Sequence, residues 1–435
     1  MFRALFITLI AIQVVIVTSL AQRTHNQRTV YPNEGMSSPL PPSEDPFYHP
    51  NNATWRFSLP GTILKHRDIT NTGIGNITGA AKIKKAFQLL YRTTDVHGAP
   101  SYTVTTVIVP FFADLSKHIS YQVITDSPAR DCAPSYGLQL GSSSHASEAQ
   151  TEVAAITRFL NQGIIVSIPD YEGPQAAFTV GPESAMGVLD SIRAVLKSSL
   201  LTGISPSAPT TLIGYSGGGL ASEWAAEFHQ KYAPELKIIG AAIGGLPVNL
   251  TKTISAVNGA QLAGLIPASL LGVAARFPKM ERYINEHLLD NYKSQFHIPL
   301  SQCQYDITNT SYGYGPTLAF QNISSWFSSK KGLESDLRPL LSHFGVMGLH
   351  GTPRFPLYVW KSTTDEVVPD ISETDALVEK YCAMGTSVQY IRFEGATHID
   401  TFQLGFDGAV DFIGELFKGV IYKGCSTVNQ LSGHS

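Results

Sequence analysis

One pentapeptide has the makings of a nucleophile-bearing turn: Gly214-Tyr215-Ser216-Gly217-Gly218. A β-branched run, Thr210 to Ile213, precedes it. An amphipathic run follows, with Leu220, Trp224 and Phe228 at helical spacing. Strand, sharp turn and helix in that order hold a serine in a strained backbone with its Oγ clear of the sheet. A side chain at Gly214 or Gly218 would collide with neighbouring backbone. The N–H of Gly217, at the positive end of the following helix, is placed to donate to a developing oxyanion.

A serine hydroxyl is a weak nucleophile unless a base takes its proton and a carboxylate orients that base. With this turn the chain order is Ser, then Asp or Glu, then His. His398, in Gly395-Ala-Thr-His398, follows a strand ending near Phe393 and is the best-placed base. His434 is one residue from the terminus, and His343 and His350 precede the acid candidates. The acid belongs in the loop after Phe355–Trp360. Asp365 is the first carboxylate there, with Glu366 its nearest rival and Asp370 more distant. A second oxyanion donor should come from a loop after an early strand, and the backbone N–H of Asp126 is the candidate position.

The elements that must hold these residues alternate. Residues 103–109, 120–124, 163–168, 210–213, 237–243, 355–360 and 388–393 read as strands. Residues 182–200 and 220–232 read as helices. That rhythm predicts an α/β protein with a mostly parallel sheet and helices on both faces. It breaks over 249–340, which reads as an insertion between core elements. There an apolar stretch, Gly259 to Ala275, reads either as an ordinary core helix pair or as a lid that meets lipid. The expected organisation is a signal at 1–21, a Pro-rich extended segment at 22–50, core at 51–248, insertion at 249–340 and core again at 341–435. Pro32, Pro39, Pro41, Pro42, Pro46 and Pro50 crowd the second of these.

The amino terminus supplies a compartment. Arg3, an apolar run from Ala4 to Val17 and Ser19-Leu20-Ala21 make a cleavable secretory signal. Five Asn-X-Ser/Thr sequons, at Asn52, Asn76, Asn249, Asn309 and Asn322, are glycosylation candidates. Cys132, Cys303, Cys382 and Cys425 are an even number in an exported chain, so two disulfides are expected among three possible connectivities. Local pairing would join Cys382 to Cys425 and leave Cys132 for Cys303. Charged residues are 15 % of the chain, against about 25 % in an average domain. The net charge of −3 leaves no basic excess for nucleic acid. No HExxH, P-loop or dinucleotide fingerprint is present, so no metal or organic cofactor is implied.

Further motifs give the chain a family likeness. They are Pro41-Pro-Ser-Glu-Asp-Pro-Phe-Tyr48, Tyr91-Arg-Thr-Thr-Asp95, Thr103-Val-Thr-Thr-Val-Ile-Val-Pro110 and Asp131-Cys-Ala-Pro-Ser-Tyr136. Pro169-Asp-Tyr-Glu-Gly-Pro174, the Ser216 turn, Gly244-Gly-Leu-Pro-Val-Asn-Leu250, Thr364-Asp-Glu-Val-Val-Pro369 and the late His398 continue the series. From about residue 40 to 425 the chain resembles the fungal secretory lipases. The resemblance implies an α/β-hydrolase fold with a helical cap after the sixth core strand. It implies acylglycerol hydrolysis by Ser216, Asp365 and His398, with Asp126 and Gly217 at the oxyanion hole, and it supports the local disulfide pairing. The expected protein is a secreted, monomeric enzyme acting on lipid esters at an interface, without a membrane span. The alternatives are a small-ester carboxylesterase or acyltransferase with the same triad, or a catalytically silent protein on the same scaffold.

Overall fold

The strands alternate their side chains between two separate cores. In β6 (Thr210–Tyr215), Leu212 faces one apolar cluster while Ile213 and Tyr215 face the other. In β8 (Leu357–Ser362), Leu357 and Val359 oppose Tyr358 and Trp360 in the same way. This period-two pattern, apolar on both sides, requires helices on both faces of the sheet.

The computed structural model describes residues 38–432, apart from 72, 73, 75, 76, 144–147 and 305–313. The signal at 1–21, Asn76, Asn309 and His434 lie outside the described residues. The sheet has ten strands in the order β1-β2-β3-β5-β4-β6-β7-β8-β9-β10. β1 (Ile63–Asp68), β2 (Ile83–Thr94) and β3 (Pro100–Pro110) are antiparallel, and β3 meets β5 (Ile164–Pro169) antiparallel. From β5 onward through β4 (Asp114–Gln122), β6, β7 (Ile238–Gly244), β8, β9 (Val388–Glu394) and β10 (Cys425–Leu431), every pair is parallel. This mixed sheet with flanking helices is the α/β-hydrolase arrangement.

Helices α1 (Val153–Asn161) and α9 (His398–Phe417) cover one face. Helices α2 (Gly181–Lys197), α3 (Gly217–Tyr232) and α8 (Ile371–Ala383) cover the other. β7 and β8 are hydrogen-bonded neighbours, yet the chain between them is long. Among its described residues it forms helices α4 (Leu250–Val257), α5 (Leu265–Ala274), α6 (Pro278–His287) and α7 (Leu333–Leu341) with short turns, and no strand of the sheet. It follows the seventh strand in chain order because the edge strand β1 precedes the core hairpin. The apolar stretch 259–275 forms one helix, not a pair. Leu265 to Val273 are all buried, so α5 is packed in protein and presents no apolar face to solvent.

Several expectations shift. Strands β1, β2 and β10 lie outside the expected ones: β1 is short and half-buried, every residue of β10 is exposed, and β2, buried from Ala86 to Thr93, interleaves Gln88 and Arg92 with its apolar residues. The segment before residue 50 is not extended throughout, since Asp45 caps a 3₁₀ turn at Pro46–Tyr48. Helix α3 starts three residues earlier than its apolar stripe, at Gly217, because the serine turn feeds straight into it.

The disulfides are Cys132–Cys303 and Cys382–Cys425, separated in sequence by 171 and 43 positions. The second pins exposed β10 to α8. The first ties the loop after β4 to the helical segment. Cys425→Ser is expected to lower stability by about 2–4 kcal/mol, read as a fall in Tm, with the turnover that the sequence leads one to expect unchanged. Cys303→Ser is expected to lower turnover as well, because it frees the loop that carries Asp126. Equal turnover in both variants contradicts that distinction.

Candidate active site

Ser216 sits between β6 and α3 with φ 54° and ψ −120°. A non-glycine residue held there costs on the order of 1–3 kcal/mol. Two hydrogen bonds hold it: the Ser216 N–H donates to the Gly244 carbonyl at 2.9 Å, and the Leu220 N–H donates to the Ser216 carbonyl at 2.8 Å. The turn is too crowded for side chains. A Cβ on Gly214 would fall 2.2 Å from the Gly218 carbonyl oxygen, and one on Gly218 would fall 2.0 Å from that of Gln122. A Cβ on Gly217 would meet Asp126 Oδ1 at 1.8 Å, so the Asp126 carboxyl lies directly against the first residue of α3.

Asp365 follows β8 and is fully buried. Its Oδ1 accepts from the backbone N–H groups of Val367 at 3.0 Å and Val368 at 2.7 Å. Its Oδ2 is 2.8 Å from His398 Nδ1. Burial opposes its ionisation, but the imidazole, Lys361 and the Val368 N–H outweigh burial and hold the carboxyl well below the usual range. His398 is not in a loop, as its place after a strand suggests. It opens α9, where Thr397 caps the helix by accepting from the Asp400 N–H at 3.1 Å. The acid and base segments are tied directly, since Ser362 and Thr364 hydroxyls both donate to the Ala396 carbonyl. His398 Nε2 is buried and has no hydrogen-bond partner among the described residues.

The rivals have other duties. Exposed Glu366 accepts from the His398 backbone N–H at 2.8 Å, satisfying an end of α9. Asp370 caps α8 and pairs with Lys252. His343 is exposed, and His350 lies beside Glu227.

Asp126 has φ 46°, is buried, and its Oδ1 has no partner. Burial, reinforced by Glu152, pushes its carboxyl up to about 7. The Tyr314 hydroxyl donates to the Asp126 carbonyl at 2.6 Å. Asp126, Ser216 and Gly217 share one cleft with Leu220, Leu250, Ile254, Leu265 and Val367, so the polar end of the cleft is continuous with an apolar wall from the helical segment. A wider surface cleft of about 730 Å³ lies at the other end of the strands beside Phe111 and Gly163 and holds none of these groups. We take the smaller cleft as the site, because chemistry needs the converging polar atoms rather than volume.

Two contributors carried no sequence signal. The Tyr215 hydroxyl donates to the His398 carbonyl at 2.5 Å, and its ring lies 4.9 Å from the imidazole. Lys361, an ammonium inside a buried strand, touches Asp365. Of the sequon residues, Asn52 and Asn322 are exposed and Asn249 is half-buried, where it caps α4. Among the described residues, no helix is long and apolar enough to cross a membrane.

Residues 138–423 match the family described as secretory lipase. The chain belongs to the secretory lipase family. It is 36 % identical over 399 residues to lipase A of Arthroderma benhamiae, covering 90 % of this chain and 83 % of that protein. It is 36 % identical to the trichothecene C-3 esterase of Fusarium sporotrichioides, covering 88 % and 85 % respectively. The solved structure of Candida antarctica lipase A in its closed state superposes with a TM-score of 0.80 at 28 % identity, covering 92 % of each chain. This secretory lipase is thus a carboxylic-ester hydrolase.

Its buried acids set a pH dependence of stability. Burial pushes Asp126, Glu152 and Asp170 up to about 7, whereas unfolded carboxyls titrate near 4. Between about pH 4 and 7 the folded chain therefore holds more protons than the unfolded one, and stability falls as pH rises. Asp365 acts oppositely: its stabilisation is present above about pH 4 and is lost as pH falls below that. The urea midpoint is expected to peak near pH 4–5 and decline towards 7–8. A midpoint that climbs steadily from pH 4 to 8 contradicts this.

Proposed function

We propose that this is a secreted serine lipase that hydrolyses acylglycerol esters through Ser216, Asp365 and His398 and an acyl-enzyme. The observation that carries the reading is the Asp365–His398 hydrogen bond, with His398 Nε2 left free, beside the strained Ser216 that heads α3. His398 takes the Ser216 proton as Oγ attacks the ester carbonyl. Asp365 holds the Nδ1–H tautomer and stabilises the imidazolium. His398 then returns the proton to the departing alcohol, and water, activated by the same base, releases the fatty acid. The Gly217 N–H donates to the oxyanion. Asp126 contributes a second donor, from its backbone N–H or, while neutral, from its carboxyl O–H. Each donor is worth roughly 3 kcal/mol. Helices α4–α7 act as a cap over the cleft, within the insertion at 249–340. Residues 1–21 direct export and are removed, and exposed Asn52 and Asn322 are the best acceptors for sugar.

Ser216→Ala is expected to lose ester hydrolysis by more than about 10³-fold with Tm unchanged, and a serine-directed phosphonate is expected to label Ser216. Normal turnover in the variant, or no labelling, sinks the triad.

Asp126 sets the alkaline side. Below about pH 7 its carboxyl is neutral; above it, a negative charge faces the developing oxyanion and opposes it. Turnover should therefore decline above about pH 7, and Asp126→Asn, which keeps a donor but cannot ionise, should remove that decline. An alkaline limb unchanged in the variant contradicts the assignment.

A second reading, a carboxylesterase for smaller esters, is favoured by the similarity to the trichothecene C-3 esterase. Rate against acyl length, with and without an emulsion, separates the two. A rise at the interface with long acyl chains supports the lipase; a preference for acetyl esters without such a rise supports the esterase.

A further inference from the structure

A lysine is an unusual occupant of a buried parallel strand, where an unpaired ammonium would be costly. Lys361 is in β8 and has no exposed surface. Its Nζ donates to the Leu246 carbonyl at 3.3 Å and lies 3.4 Å from Asp365 Oδ2. That oxygen is the one bound to His398 Nδ1 at 2.8 Å. One carboxylate oxygen is thus shared between an imidazole and an ammonium, while the other is held by the two backbone N–H groups of Val367 and Val368.

We propose that Lys361 is a positioning residue that tempers the basicity of His398 by offsetting part of the Asp365 charge, extending ester hydrolysis to lower pH. The inference rests on the triad reading above. A carboxylate beside an imidazole stabilises the protonated ring and raises the pH at which the base becomes free. An ammonium on the same carboxylate reduces that stabilisation, so a larger fraction of His398 is neutral, and competent, in acid. Other ionisable groups face this cluster. Burial lowers Lys361 towards neutrality, while Asp365, and Asp370 more weakly, favour its charge. Glu366 adds a negative group at the His398 N–H, which by itself would make the ring more basic. Tyr215 meets the His398 carbonyl as a neutral phenol, held neutral by burial and by Asp365 and Glu366. Lys361 is the one cation in direct contact with the acid among the described residues.

The test is kcat/KM against pH from about 3.5 to 8 on a soluble ester. It compares the wild type with Lys361→Met, Lys361→Gln and Lys361→Arg, each normalised to phosphonate-reactive Ser216. Met and Gln are expected to move the acid limb up by about one pH unit, whatever fall in the plateau the lost Asp365 contact brings. Arg, which keeps the charge, is expected to stay near the wild-type limb. A plateau that drops while the limb stays in place overturns the proposal and leaves Lys361 a structural strut. Gln keeps a donor for Leu246 should Met fail to fold. Failure of the phosphonate to label wild-type Ser216 instead overturns the triad reading, so the two failures are distinguishable.

Discussion

A negative charge kept in the dry interior is the constraint around which this site is organised. Asp365 has no exposed surface, and an isolated carboxylate there would take up a proton. Four donors prevent this: two backbone N–H groups from the turn that follows it, the His398 ring and the Lys361 ammonium. Each belongs to a different constraint on the chain. The turn needs Val367 and Val368 to run back over the carboxyl. The imidazole needs α9 to start at residue 398. The ammonium needs β8 to stay buried through residue 361. Ser362 and Thr364, both donating to the Ala396 carbonyl, lock the first two together.

The serine turn is the mechanical counterpart of that charge. Its strain persists because β6 and α3 are over-determined by packing. Leu212 and Ile213 are buried on opposite faces, and Leu220, Ala221, Trp224 and Ala225 are fixed in the core. Tyr215 joins the two halves of the site. It is the residue before the serine, and its hydroxyl is bonded to the residue that carries the base. A displacement of α9 is therefore felt at the turn without passing through the reacting atoms.

Much of this could be read from the chain, for identifiable reasons. The central parallel strands β5, β6 and β8 are buried along their whole length, and their β-branched and apolar runs announce themselves. The Ser216 turn is visible because Gly214 and Gly218 stand where a side chain would strike backbone, and Gly217 where one would strike the Asp126 carboxyl. The order Ser, acid, His then points to His398 as the base and to Asp365 as the first carboxylate of the right loop, with Glu366 and Asp370 as its rivals. The two edges of the sheet were hidden by their weak burial: antiparallel β1 is short and only half-buried, and at the other edge parallel β10 buries nothing, held by backbone pairing and the Cys382–Cys425 bridge. Lys361 and Tyr215 were hidden because their importance is a distance, and spacing along the chain does not encode it. The apolar stretch 259–275 was ambiguous because composition cannot separate a buried helix from one awaiting lipid. The packing of Leu265 to Val273 decides for burial in this conformation.

Asp126 and Asp365 belong to one site and are pushed in opposite directions. Both are buried, so burial alone would keep both neutral. Asp365 escapes because donors converge on it. Asp126 does not, because its Oδ1 is without a partner and Glu152 adds a like charge, which leaves its carboxyl near 7. Environments that separate two like groups in this way divide acid–base roles between them. In the proposed reaction an ionised partner is needed where positive charge appears, on His398, and a neutral donor where negative charge appears, beside Gly217. Exchanging the two states would oppose both steps. The free Oδ1 of Asp126 is therefore a consistent feature of the site: supplying it with a cation would ionise the carboxyl and place its charge against the oxyanion it is positioned to meet.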